Sequence, residues 1–370
     1  MRHQGTLGRI QVVRPFFLFR DLSFSLKAEG SRSFNGKNDV FPKRNPCFLV
    51  RGGEPKPIYW RVGLGCRMAV RLRDQLMALP DDARELLLVL CRDAVEIRRK
   101  LIRGIQLADS KNAFGEDQLK IDVLADDLII HSLAESMLVR QVASEEQDEI
   151  IEITKARGSW GVAIDPLDGS SNVKSNLAIG TIAGFWNEGG VLEKGCRMDM
   201  AVFFLYGPLL SLVYAYKGLG AHEFVFDETL GDFVLRAESL LLPAGSVFGS
   251  GALRSEWGTA HRAFIADLEQ KNYKLRYSGS LVADFNQILH YGGVFCYPAT
   301  SKNPSGKLRL LFEANPLAFI CQEAGGASFD GQQSILDVEP IRIDQRTPLF
   351  LGDEKSIELA KHHYSSNGSK

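Results

Sequence analysis

The chain has 370 residues, 45% hydrophobic and 24% charged, a balance that excludes a disordered or fibrous chain and leaves room for one large or two medium globular domains. A formal charge of −1 excludes a global pull toward nucleic acid or anionic lipid, so an anionic ligand must be met by local cations. Six cysteines lie far apart with no CxxC pair, which fits neither a zinc site nor a disulfide-dense secreted scaffold.

Residues 1–70 carry thirteen Lys or Arg against four Asp or Glu, a net of +9, so the rest of the chain is net −10. Residues 1–76 show no sustained helical or strand period and read as a non-catalytic extension. They are either an organelle transit peptide or sequence upstream of a start at Met68 or Met77. No apolar run reaches the ~18 residues of a membrane span. A soluble protein of the cytoplasm is expected, or of the plastid if the extension is a transit peptide, with no membrane or nucleic-acid partner.

Pro80-Asp81 opens a helix with Leu87, Leu90, Ala94, Ile97 and Leu101 on one face and Gly104 as its stop. A second helix is expected from about Asp122 to Met137, with Leu124, Leu128, Leu133 and Met137 inward. Short β-rich runs follow: Gly161 to Ile164, Ile179 to Phe185, Ala201 to Tyr206, Leu212 to Tyr216 and His222 to Phe226. From about residue 240, strands at Gly293 to Tyr297 and Pro348 to Leu351 mix with helices at Ala283 to His290, Pro316 to Ala324 and Glu354 to His362. The expected fold is α/β, with helix and sheet layers alternating through two domains, 77–240 and 241–370, behind the extension.

The chemical signal is Asp165-Pro166-Leu167-Asp168-Gly169-Ser170-Ser171, read as a tight turn at the end of an apolar strand. It lets two carboxylates and the Leu167 carbonyl converge on one point while the following amides and hydroxyls face outward. Such hard oxygen donors suit magnesium or manganese. Further acidic groups lie upstream, Glu116 with Asp122 and then Ser144-Glu145-Glu146. Downstream, Lys307, Arg309 and Glu313 alternate so as to share one face of a strand. Taken singly, each has an ordinary reading as a solvated turn, an exposed charge pair or edge-strand charges.

In their order these residues carry a resemblance. Gly115 to Asp126, Ser144-Glu145-Glu146, Asp165 to Asn172, Gly180-Thr181-Ile182, Arg276 to Ser280, Lys307 to Glu313 and Gln345-Arg346 together resemble the class I fructose-1,6-bisphosphatase family over residues 80 to 365. The resemblance implies a sugar phosphatase fold and removal of the 1-phosphate of fructose 1,6-bisphosphate, with Mg²⁺ or Mn²⁺, two or three per subunit, in a homotetramer. It assigns metal binding to Glu116, Glu145, Asp165, the Leu167 carbonyl, Asp168 and Glu313. Water activation falls to Asp122 and Glu146, and Arg309 lies near the reacting phosphate. Asp168, Gly169, Ser170 and Ser171 cradle that phosphate. Lys307, Tyr277, Tyr297 and a neighbouring subunit's Arg276 hold the other one.

The pattern departs in places. Where many members have an Asn-Glu-Gly-Tyr-like segment, this chain has Gly249-Ser250-Gly251-Ala252, closer to sedoheptulose-1,7-bisphosphatases, whereas Tyr291 to Ala299 resembles the fructose-specific branch. Sedoheptulose 1,7-bisphosphate is therefore an alternative substrate. A catalytically silent sugar-phosphate sensor is the reading from another class. The family's AMP-binding turn and Lys-Tyr pair are replaced by Leu79 to Glu85 and Ser159-Trp160, so AMP inhibition of that type is not expected.

Overall fold

The computed structural model describes residues 59–60, 67–68, 70–107 and 114–367, with side chains at 70–102 and 121–366. The greater part of the 1–76 extension and the side chain of Glu116 therefore lie outside the described residues. In chain order, β1 (Tyr59–Trp60) and β2 (Arg67–Met68) pair antiparallel, and a single turn, α1 (Leu72–Gln75), follows.

Helix α2 (Asp81–Leu107) starts after Pro80, with Asp81 and Asp82 in its first turn, where the partial positive end of a helix favours carboxylates. The predicted stripe of Leu87, Leu90, Ala94, Ile97 and Leu101 is buried throughout. The helix nevertheless passes through Gly104 to Leu107. One interior glycine costs only ~1 kcal/mol, which the neighbouring helical turns outweigh.

Helix α3 departs further from expectation. It begins at Phe114 rather than Asp122, and Leu124 is 46% exposed. Its buried face is Asp122, Ala125, Asp126, Ile129 and Leu133. Leu133 and the partly buried Leu128 of the predicted stripe do pack on the core, but Leu124 faces outward because Asp122 and Asp126 share the inward face.

The β-rich runs form an eight-stranded sheet of β3 (Val139–Ser144), β4 (Ile151–Glu152), β5 (Trp160–Asp168), β6 (Ile179–Trp186), β7 (Met200–Tyr206), β8 (Leu210–Tyr216), β9 (Gly220–Asp227) and β10 (Asp232–Leu240). Their order is β10-β9-β8-β7-β6-β5-β3-β4, and only the β3–β5 pairing is parallel. The sequence pattern misses β3, β4 and β10. In β10 two register shifts break the alternation, and only Phe233 and Leu240 are buried.

The C-terminal half adds a five-stranded sheet. It comprises β11 (Val247–Ser250), β12 (Lys274–Leu275), β13 (Val294–Tyr297), β15 (Ala327–Phe329) and β17 (Leu349–Gly352), while β14 (Leu308–Arg309) and β16 (Arg346–Thr347) pair separately. Four helices accompany them: α4 (Thr259–Gln270), α5 (Leu281–Tyr291), α6 (Asn315–Glu323) and α7 (Glu354–Asn367). Helix α4 and strands β11, β12, β15 and β16 are the elements of this half that periodicity does not reveal.

Three apolar cores stack these elements into five layers. Helices α2 and α3 cover one face of the large sheet through Leu90, Ile97 and Ile129 against Val162, Val202 and Phe204. Helices α5 and α6 fill the space between the sheets, with Phe285, Ile288 and Ile320 against Ile182, Phe203, Phe295 and Leu351. Helices α4 and α7 cover the far face of the small sheet through Phe264, Leu268 and Ile357 on Val294 and Phe350. Each fully buried Leu or Phe contributes roughly 1.5–3 kcal/mol. The layered α/β architecture expected from the sequence is therefore present. Among the described residues no helix is long and apolar enough to cross a membrane.

One buried polar group in the last core carries a stability prediction. His261 is 1% exposed; Nε2 lies 2.9 Å from the Ser250 hydroxyl, and Nδ1 lies 3.2 Å from the Tyr364 hydroxyl. Burial pushes its pKa down to about 3 from 6.5. A depressed folded-state pKa gives stability that is complete above pH 6.5 and is lost as pH falls toward 3, at up to ~1.4 kcal/mol per pH unit. The stability advantage of the wild type over His261→Gln should therefore shrink between pH 6.5 and 4 in paired denaturant titrations. A constant difference would show that the imidazole is not held neutral.

Candidate functional site

The acidic motif owes its geometry to a defect in the sheet. Strand β5 pairs with β6 regularly from Gly161↔Trp186 to Asp165↔Ile182, then resumes at Asp168↔Gly180. Three steps along β5 against two along β6 amount to one extra residue, a β-bulge. In an unbroken strand, residues three apart point to opposite faces. The inserted residue brings Asp165 and Asp168 to the same side, and the Thr181 hydroxyl donates to the Pro166 carbonyl at 2.7 Å to fix the bulge. The expectation of a tight turn at a strand end is corrected: the strand runs through Asp168. The chain turns only at Gly169, whose φ of 73° favours glycine, into a 3₁₀ segment at Ser170–Ser175.

The third carboxylate arrives by another irregularity. Only Leu308-Arg309 is extended, and Leu310–Ala314 forms a π-helical turn that leads into α6. Lys307, Arg309 and Glu313 therefore do not share a strand face, as their alternation predicts. Leu310, Leu311, Phe312 and Ala314 are all buried, so a strand would have to cover apolar groups on both faces, and Pro316 favours a helix start. The turn folds Glu313 back so that the Arg309 N–H donates to its carboxylate at 2.6 Å.

Carboxylate oxygens of Asp165, Asp168 and Glu313 consequently lie within 4.8 Å of one another, each on a buried side chain. Burial, then Glu145, Asp168 and Glu313, holds the Asp165 carboxyl well above its usual range. Burial, then Glu145 and Asp168, does the same to Glu313 against the opposing Arg309 N–H and guanidinium. Asp168 is raised to about 6 by burial, although the Val282 N–H (2.9 Å) and Ser280 hydroxyl (3.3 Å) at the start of α5 stabilise its charged form.

Around this trio, Glu145 follows β3, its N–H donates to the Ile164 carbonyl at 3.0 Å, and its side chain lies 3.6 Å from the Arg309 guanidinium. Asp122 on α3 has a hydrogen bond to Ser170, and its Oδ1 is buried with no partner. Burial first, then Glu146, raises Asp122 to about 6. Glu146 is raised by burial, Glu145 and Asp126 in that order. Three buried carboxylates in mutual repulsion, with an orphaned carboxylate oxygen nearby, fit a divalent cation bound through oxygen.

A cavity of about 340 Å³ opens beside the trio, lined among others by Gly169, Ser171, Tyr277, Tyr297, Lys307, Arg309 and Arg346. The Lys307 ammonium sits 5.6 Å from the centre of the Tyr297 ring. Arg276 does not line this cavity; it stacks on Tyr291 at 4.5 Å. A larger groove of about 560 Å³ between α2 and the β9–β10 hairpin has no converging carboxylates.

Sequence reasoning missed Asp126, Ser280, Asp284 and Arg346 as supports. Asp284, 2% exposed, accepts the Ser278 and Gly279 N–H groups at 2.8 to 3.2 Å and shapes the turn that presents Ser280 to Asp168. Arg346 donates to the Lys307 carbonyl at 2.5 Å. A Ser just ahead of an apolar helical run is a helix-cap signal and marks Ser280. The buried carboxylates have no such local sign.

Comparison with known proteins places these features in a family. Residues 73–238 match the description "Fructose-1-6-bisphosphatase, N-terminal domain", and residues 241–365 match its C-terminal domain. The chain is 44% identical over 278 residues to fructose-1,6-bisphosphatase class 1 of Methanocorpusculum labreanum, an alignment covering 75% of this chain and 86% of that relative. It is 40% identical to the class 1 enzyme of Methanospirillum hungatei JF-1, covering 76% and 90%. The holo form of Leishmania major fructose-1,6-bisphosphatase superposes with a TM-score of 0.73 at 29% identity, covering 80% of this chain and 99% of that one.

Proposed function

The chain belongs to the fructose-1,6-bisphosphatase family, and from that premise we propose how its residues hydrolyse the 1-phosphate of fructose 1,6-bisphosphate to fructose 6-phosphate and phosphate. The observation that carries the reading is the buried trio of Asp165, Asp168 and Glu313 opening into a cavity with Lys307 on its wall.

Magnesium or manganese, in two or three sites, fits the trio together with Glu145, the Leu167 carbonyl and Glu116. Such ions lower the pKa of water and neutralise phosphoryl oxygens. Asp122, whose free Oδ1 and raised pKa suit proton transfer near neutrality, takes a proton from the attacking water, and Glu146 orients it. Arg309 faces the reacting phosphate, and Gly169, Ser170 and Ser171 supply amides and hydroxyls to its oxygens. Lys307, Tyr277 and Tyr297 hold the second phosphate and the sugar, joined by Arg276 of an adjacent copy in a tetramer. Residues 77–240 act as the metal-binding domain and 241–370 as the sugar-phosphate domain, with Glu313 reaching back to the first. The cytoplasm is the proposed site of the reaction.

A second substrate, sedoheptulose 1,7-bisphosphate, rests on the loop Gly249-Ser250-Gly251-Ala252, whose residues resemble those of sedoheptulose-1,7-bisphosphatases. Phosphate release from both sugars, with Mg²⁺ and again with EDTA, tests the whole reading. Chelation should reduce turnover of either substrate at least ~10³-fold. Turnover that is indifferent to EDTA would remove the metal mechanism.

A further inference from the structure

We propose that Asp126 is a positioning residue that sets the Glu145-Glu146 pair at the metal site by gripping the residues on either side of it. The inference rests on the metal reading given above.

Asp126 lies one helical turn after Asp122 on α3 and is 2% exposed. Its Oδ1 accepts the Ser144 hydroxyl at 2.5 Å and its Oδ2 accepts the Gln147 amide at 2.6 Å. Ser144 and Gln147 flank the acidic pair, so one carboxylate holds both ends of that four-residue segment. Ser144 is fully buried, and its oxygen in turn accepts the Glu146 N–H at 3.3 Å. A carboxylate only accepts hydrogen bonds, so the hydroxyl proton must point at Asp126 and the serine lone pair is left for Glu146. Both contacts have the short lengths of charge-assisted bonds.

The consequence is a rigid link. Asp122 and Asp126 occupy the same face of α3, separated by one turn, so the helix places the proposed proton acceptor and the Glu145-Glu146 segment as one body. A buried negative charge in an already acidic region costs stability. Its two bonds are spent on the loop that carries Glu145, and the partners of metal ligands in other proteins alter metal affinity 10–100-fold when removed.

The test uses the full chain with Mn²⁺ as probe, read by electron paramagnetic resonance of the free ion without substrate, alongside steady-state kinetics and circular dichroism. Asp126→Ala is expected to weaken Mn²⁺ binding at least tenfold and lower kcat at least tenfold, with KM for the sugar bisphosphate within about threefold of wild type. Asp126→Asn keeps an acceptor for Ser144 and, after a flip of the Gln147 amide, a donor for its oxygen, so it should restore both values to within about threefold. Gln147→Ala, at an exposed position, should fold and show a smaller loss of roughly threefold in the same direction. A folded Asp126→Ala protein that binds Mn²⁺ as wild type does, or an Asp126→Asn protein as defective as the alanine variant, overturns the inference. If Asp126→Ala does not fold, unchanged Mn²⁺ affinity in Gln147→Ala overturns it. Wild-type protein that binds no Mn²⁺ removes the metal reading and this inference with it, whereas wild-type binding with unaltered variants removes this inference alone.

Discussion

Replacing Asp165 by Asn is expected to lower kcat by about 10³-fold while making the metal-free protein more stable at pH 7. Both effects come from the same geometry. Asp165 is 6% exposed, and burial plus three neighbouring carboxylates hold its pKa well above 3.8. A raised folded-state pKa means that the charged carboxylate disfavours the fold. That cost is present at neutral pH and disappears as pH falls through the folded value toward 3.8. Asparagine keeps the size and can accept the Leu167 N–H that Asp165 Oδ1 receives at 3.0 Å, but it carries no charge. Differential scanning calorimetry in EDTA should show a higher midpoint for the variant at pH 7 and a smaller gain near pH 4. With Mg²⁺ present the order should reverse, because only the wild type gains binding free energy from the ion. A variant with wild-type turnover, or one less stable than wild type in EDTA at neutral pH, would sink the argument.

Adding one methyl group at Gly251 should raise KM roughly tenfold or more, equivalent to ~1.4 kcal/mol of binding, with kcat nearly unchanged. A Cβ at this position would lie 2.2 Å and 2.4 Å from two ring carbons of Tyr297. No rotamer relieves a clash between a Cβ and a ring, so the ring must move. The Lys307 ammonium lies 5.6 Å from the Tyr297 ring centre, and both residues line the cavity and are proposed to hold the second phosphate. Gly251→Ala therefore separates the sugar-phosphate end of the site from the chemical end. An unchanged KM would show that Tyr297 and Lys307 do not hold the substrate, and an equal loss of kcat would show that the two ends are not separable.

Much of the fold can be read residue by residue. Helix α2 follows from a stripe at three- and four-residue spacing behind Pro80, and β5 through β9 follow from short apolar runs between turn residues. The errors are also physical. The inward face of α3 is misread in part, at Leu124, because buried Asp122 and Asp126 share it with Leu133, and β10 is missed because register shifts on an edge strand blur its alternation. Lys307, Arg309 and Glu313 look like a strand because their period is two. The apolar residues between them have to be buried all round, and that produces the π-helical turn instead.

By itself the sequence determined the chemical vocabulary: two aspartates spaced three apart behind a strand, acidic pairs upstream, and cations downstream, in the order of one phosphatase family. Its local patterns also determined the alternating α/β character of the chain. Only the tertiary structure decided that Asp165 and Asp168 face the same way, because that depends on one unmatched residue in the pairing of β5 with β6. It also brought Glu313 from 145 positions beyond Asp168 into the same cluster, and set Asp126 and Asp284 as the groups that hold the surrounding turns. Hydrophobic period is a local property of the chain, whereas convergence of like charges at one buried point depends on long-range pairing that no local window contains.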